Sequence, residues 1–130
     1  MPVPFRLSRL VALAALAGTA AACASTPPPV PPTVVRGLYI YQDGAQTLRP
    51  CGSTATFWVV GDEEVLEPVR TRSAARAKAL GQPHQGIYAE ITGGLEPSET
   101  PGYENMLRAV EASHLDDHLP ATCTVTPPAA

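Results

Sequence analysis

The chain has 130 residues, which allows one domain with one core and excludes a multidomain enzyme or a membrane bundle. Apolar types reach 45%, a figure raised by an Ala-rich N-terminus, while 15 Pro and 10 Gly place about a fifth of the residues in helix-breaking types and argue against a long helical bundle. With 9 basic and 12 acidic residues, a net charge of -3 and a pI near 5.5, the chain carries no electrostatic footprint for nucleic acid.

Residues 1–22 read as a bacterial export signal: Arg6 and Arg9 form its positive end, and Leu10 to Ala17 make an apolar run too short to stay behind as a membrane span. The next stretch, Gly18-Thr19-Ala20-Ala21-Ala22-Cys23, resembles a lipobox, in which small residues precede a cysteine that is diacylated on sulfur and becomes the new N-terminus. Ala20 stands where a large aliphatic residue is usual. The other reading is cleavage by the ordinary signal peptidase at an A-x-A site, with Cys23 left as a free thiol; lipidation accounts better for this cysteine in an oxidising compartment. At about 0.8 kcal/mol per buried CH₂, three acyl chains would give stable membrane attachment. Ala24 follows Cys23 in place of Asp, which by resemblance to sorted lipoproteins points to the outer membrane, facing the periplasm.

Cleavage before Cys23 would leave 108 residues with a net charge of -5. Residues 23–33 are then a lipidated N-terminus and a Pro-rich linker: Thr26-Pro27-Pro28-Pro29-Val30-Pro31-Pro32-Thr33 cannot form helix or central strand, because proline lacks the amide donor and fixes φ. In the polyproline II conformation such a spacer reaches about 25 Å. Residues 34–125 are the expected folded domain, and 126–130, ending Pro127-Pro128-Ala129-Ala130, a flexible tail.

Within the domain, residues 34–42 are rich in β-branched and aromatic types, with Leu38 and Ile40 on one face of a strand and Tyr39 and Tyr41 on the other. Asp43-Gly44 supplies the positive φ of a tight turn, so Ala45 to Arg49 should return antiparallel until Pro50-Cys51-Gly52. Ala55 to Val60 makes a third strand, apolar on both faces and therefore central. A helix is expected to open at Glu67-Pro68, with Pro at its first position, to continue through the good helix formers of Ser73 to Leu80, and to stop at Gly81. His84 to Thr92 alternates Ile87, Ala89 and Ile91 against Tyr88, Glu90 and Thr92 as a half-buried fourth strand that Gly93-Gly94 breaks. After a loop over 95–103, Asn105 to Ser113 has helical propensity but the chain position of a strand, and we take it as a strand. The fold expected is mainly β with one helix, a small OB-like five-stranded barrel in the order β-β-β-α-β-β; a small α+β sandwich fits if 105–113 is helical.

With Cys23 acylated, Cys51 and Cys123 remain as a pair in a compartment where disulfides persist, and a structural bond between them is the expectation, an exchangeable pair the alternative. His114-Leu115-Asp116-Asp117-His118 would put two imidazoles on one face of a helix and so offers His114 and His118 as metal ligands, although a solvated loop explains the same residues, and no metal or other cofactor is expected. No C-x-x-C, H-E-x-x-H, G-x-S-x-G, S-x-x-K or phosphate-cradling glycine loop occurs, so a non-enzymatic role is expected. Tyr39, Tyr41, Trp58 and Tyr88 are the candidate partner-binding residues, as an aromatic patch on one barrel face, with ordinary packing as the other reading. Arg70, Arg72, Arg76 and Lys78, offset by Glu63, Glu64 and Glu67, read as a solvated helix face.

The stretch from Gly37 to Ala45, then Arg49-Pro50-Cys51-Gly52 and Trp58-Val59-Val60, resembles the OB-like C-terminal domain of NlpE-type copper-homeostasis and envelope-stress lipoproteins. Tyr39, Asp43, Cys51, Gly52, Trp58, Gly93 and Cys123 fit that pattern. The resemblance implies a lipid-anchored periplasmic domain that reports on, or contributes to, envelope state through protein contacts; the function expected is binding of a protein or envelope component, with a structural maintenance lipoprotein lacking a discrete ligand, or a small metal-buffering module using His114 and His118, as the alternatives. The family's C-x-x-C metal-associated motif has no counterpart, so copper binding is not carried over.

Overall fold

A computed structural model describes residues 31–125. The expected export signal at 1–22, the lipidation site Cys23, the linker as far as Val30 and the tail at 126–130 lie outside the described residues.

The described chain forms strands β1 (Thr33–Gln42), β2 (Ala45–Pro50) and β3 (Phe57–Gly61), helix α1 (Glu63–Leu80), then strands β4 (Ile87–Pro97) and β5 (Asn105–Asp116). The sheet closes into a barrel in the order β1-β2-β3-β5-β4, with β3 and β5 parallel and every other pair antiparallel. This is the OB-like barrel that the sequence led us to expect, with β3 flanked on both sides. Closure leaves no sheet edge open. The first turn is the expected one: Asp43 and Gly44 both have positive φ, 52° and 80°, which joins β1 to β2 at the register Gln42↔Ala45.

Three local expectations are corrected. Helix α1 begins at Glu63, four residues before Glu67-Pro68, and carries Pro68 in its interior. Leu66, Val69 and Ser73, spaced three and four residues apart, all point into the barrel end and are buried, while Glu63 and Glu64 supply the negative first turn that suits the helix dipole. That burial holds the early turns in place despite the missing amide of Pro68, because tertiary packing outweighs propensity. The far end is as expected, with Gly81 at φ 63° and its amide bonded back to the last turn.

Gly93-Gly94 does not end β4, which starts at Ile87 rather than His84 and runs on to Pro97. His84 lies in the preceding turn with φ 59°. The glycine is used for proximity: a Cβ at Gly93 would sit 2.1 Å from the Arg108 carbonyl oxygen of β5, at the point where the β4–β5 register shifts. Residues 105–113 are strand, as chosen, and β5 extends to Asp116, so the α+β alternative is set aside. Their helical propensity yields to two ladders, one to β3 and one to β4.

The core is built from Val35, Tyr39, Leu48, Val59, Ile87, Ala89, Ile91, Leu107 and Ala109 of the strands, capped by Leu66 and Val69 of α1. Ser73 is the one buried polar side chain among the described residues. Its hydroxyl accepts from the Tyr41 amide and donates to the Gln85 carbonyl, both at 3.1 Å, and so ties the helix to the end of β1 and to the approach to β4.

Cys51 and Cys123 are bonded, S–S 2.02 Å. The bond holds a C-terminal arm, residues 117–125, against the β1–β2 end of the barrel, and the Gly52 amide donates to the Thr124 carbonyl at 2.7 Å beside it. A cross-link spanning 72 residues restricts the unfolded chain strongly. Replacing both cysteines by serine is expected to lower the unfolding free energy by about 4 kcal/mol, read from urea unfolding curves with the m-value fitted separately for each form.

A candidate binding groove over β1 and β2

Alternation along β1 decides which side chains are available. Val35, Gly37 and Tyr39 face inward and are buried, so Leu38, Ile40 and Gln42 face outward. The β1–β2 register places Leu38 beside Arg49, Ile40 beside Thr47 and Gln42 beside Ala45. These three rungs form the floor of a groove of about 470 Å³. Thr56 and Tyr103 line it from the β3 side and from the loop between β4 and β5, and Leu119 and Val125 of the disulfide-held arm also line it. His84 stands at the Gln42 end, where its amide donates to the Gln42 side-chain carbonyl at 3.1 Å. The lining is mainly apolar, its basic side chains are Arg49 and His84, and no acidic side chain among the described residues takes part.

The four aromatic residues singled out in the sequence do not share one face. Tyr39 is fully buried in the core and donates its hydroxyl to the Gln46 side chain at 2.6 Å. Tyr41 also faces inward; it packs against the core with the Arg70 guanidinium 5.9 Å above its ring, and Arg70 is paired with Glu63. Trp58 lies on the outer surface beside Thr47 and stacks obliquely on Tyr103, ring centroids 5.2 Å apart. Tyr88 is on the outer surface of β4 yet only 6% exposed. None of the four lines the groove; Trp58 adjoins it through Tyr103, and Tyr88 is the register partner of Leu38 on its floor.

His114 and His118 are not brought together as a helical pair, because β5 continues to Asp116. His114 has φ 51° and its Nδ1 lies 2.9 Å from Glu90, whose other carboxylate oxygen accepts the Tyr88 hydroxyl at 2.8 Å. Burial, then the Glu90 carboxylate, raises the Tyr88 hydroxyl above its ordinary value. His118 is exposed. Among the described residues, no group of three or more His, Cys, Asp or Glu side chains is placed to hold a metal ion. The basic helix residues behave as surface charges: Arg72 pairs with Asp117 at 3.0 Å.

No protein-family model matches the sequence, and no curated protein matches it. Among solved structures, the crystal structure of the Cpx pathway activator NlpE from Escherichia coli is similar over 92% of this chain, with a TM-score of 0.52 and 18% identity. The fold is NlpE-like. The chain spans about half the length of that protein, covering 52% of it. The residues that carried the family resemblance have identifiable physical roles in this NlpE-like barrel: Tyr39 in the core, Asp43 and Gly52 at positive φ or beside it in turns, Gly93 at the close approach to β5, and Cys51 bonded to Cys123.

The groove itself escaped the sequence reading. Its floor comes from two adjacent strands, but Tyr103, Leu119 and Val125 arrive from segments up to 87 positions away, a distance set by the disulfide and the barrel. One signal was present: β1 is apolar on both faces, which calls for cover on both.

Burial of Tyr39 raises its hydroxyl well above the ordinary tyrosine value. The folded state therefore keeps this proton when the unfolded chain has begun to lose it, and stability falls as pH rises above about 10. Tyr39→Phe is expected to cost about 1 kcal/mol near neutrality, through the lost bond to Gln46, and to make the alkaline decline shallower. Urea midpoints compared between about pH 7 and about pH 11 check both effects.

Proposed function

We propose that this chain is a non-enzymatic lipoprotein of the bacterial outer membrane, anchored through Cys23 and facing the periplasm, whose barrel binds an envelope component in the β1–β2 groove as part of envelope-stress sensing or homeostasis. The observation that carries the reading is the groove: a concavity whose surface is mainly apolar, with polar side chains such as Gln42, Thr47, Arg49 and His84 set among it, of a size suited to ligands and walled by an arm that a disulfide holds in place. The export signal and lipobox-like segment support the location, and the bonded cysteine pair fits an oxidising compartment. The fold likeness to a Cpx pathway activator supports a role in the envelope rather than in metabolism. The absence of nucleophile, metallopeptidase and nucleotide-binding patterns in the sequence supports binding without catalysis.

A photoreactive residue at Ile40, on the groove floor, is expected to give a discrete adduct in intact cells. The same residue at Val110, exposed on β5, which pairs with neither β1 nor β2, is expected to give none. Loss of the Ile40 adduct on Leu119→Asp would tie it to the groove. No adduct at Ile40 would leave a maintenance lipoprotein without a discrete ligand. In the membrane fraction, intact mass should show acyl groups on Cys23, and an unmodified Cys23 would remove the anchor.

A further inference from the structure

The chemistry of the groove narrows what it can hold. Its floor is the outer surface of strands already paired: β1 is bonded to both β2 and β4, and the barrel is closed. A peptide lying there would meet no free backbone ladder and only scattered side-chain partners such as Gln42, Thr47 and Arg49, fewer than its regularly spaced N–H and C=O groups need. A hydrocarbon chain carries no such groups. The floor from Leu38 to Gln42 runs about 13 Å at roughly 3.3 Å per residue, a length that an extended hydrocarbon chain can follow.

Charge supplies the second constraint. The chain carries more acidic than basic residues, yet no Asp or Glu among the described residues lines this groove, and Arg49 stands at one end of its apolar rungs. Arg49 already has an interaction within the fold, and its five N–H donors leave capacity for a second acceptor. An apolar track ending at a half-buried guanidinium complements a long apolar body with an anionic end.

We propose that the groove binds an unbranched fatty acid, its hydrocarbon chain over Leu38 and Ile40 and its carboxylate at Arg49. This rests on the groove being the binding site and names the ligand class. Trp58, stacked on Tyr103 of the groove wall, is a built-in fluorescence reporter.

The test is an equilibrium titration of the full chain carrying Cys23→Ser, which cannot be S-acylated, with laurate as the probe. Saturable one-to-one binding is expected, weakening about fourfold for each methylene removed from the probe. Dodecanol, with the same chain and no charge, should bind about tenfold more weakly, and Arg49→Gln should cost laurate about tenfold while Arg49→Lys recovers most of it. Ile40→Asp should abolish binding; Leu119→Asp, on the arm rather than in the barrel, provides the same test if the first variant fails to fold. No saturable binding, equal affinity for dodecanol, or indifference to both aspartate variants would overturn the proposal. So would laurate binding that emerges only after deletion of 126–130, which would assign the groove to the tail, or a dimer dissociated by Ile40→Asp, which would assign it to a second copy. A protein adduct from Ile40 without laurate binding would overturn the fatty-acid assignment and leave the groove as the binding site; the absence of both would remove the two together.

Discussion

β1 is hydrogen-bonded along both edges, to β2 through residues 37–42 and to β4 through residues 33–39, and this double pairing is the constraint on which the molecule depends. Side chains alternate across a strand, so fixing Tyr39 inside fixes Leu38 and Ile40 outside. A slip of one residue would exchange them and put the Gly37 position, whose Cβ would come within 2.0 Å of the Arg49 carbonyl oxygen, out of register with the backbone it must pass. Tyr39 is suited to the interior because its ring fills the barrel while Gln46 takes its hydroxyl, leaving no unsatisfied donor. The aliphatic side chains, which need no partner, are the ones left for the surface. The groove follows from that division of labour within one strand.

The cross-link converts a surface into a concavity. β1 and β2 alone would present a twisted apolar stripe; Leu119 and Val125 make it a groove because Cys123 is bonded to Cys51 at the end of β2 and the Thr124 carbonyl accepts from Gly52. Seven of the nine arm residues, 117–122 and Thr124, are exposed, so the arm has little burial of its own to hold it. A folded domain of this size has limited apolar surface to bury, and the same bond that limits the unfolded chain also shapes the surface. Stability and surface geometry therefore share one covalent contact.

The elements legible in the sequence are those decided locally. The Asp43-Gly44 turn and the Gly81 stop depend on positive φ, which few residues adopt, and both stand where they were expected. What was decided by distant partners was less legible. Gly93-Gly94 looks like a strand terminator and is instead the place where β4 and β5 approach too closely for a side chain. Pro68 looks like a helix start, and only the barrel end that receives Leu66 shows why the helix begins earlier. The aromatic residues were recognised, but with Leu and Ile on one face of β1 and Tyr on the other, hydropathy gives no preference between them. Register with Leu48 and Ile87 makes that choice.

The position of the groove also bears on how a tethered domain could use it. The chain enters the barrel at Thr33, and the apolar rungs begin five residues later at Leu38, about 16 Å further along β1. An anchor at Cys23 would thus attach to one end of β1 while the groove occupies the other half of the same strand. The sheet fixes the distance of the groove from Thr33, the residue at which such a linker would join the barrel. A site on α1 or on the loop before β5 would lack that direct connection. If the chain is anchored at Cys23 and the groove binds a ligand, as proposed, the strand nearest the tether is also the floor of the site, and both would act on one continuous piece of backbone.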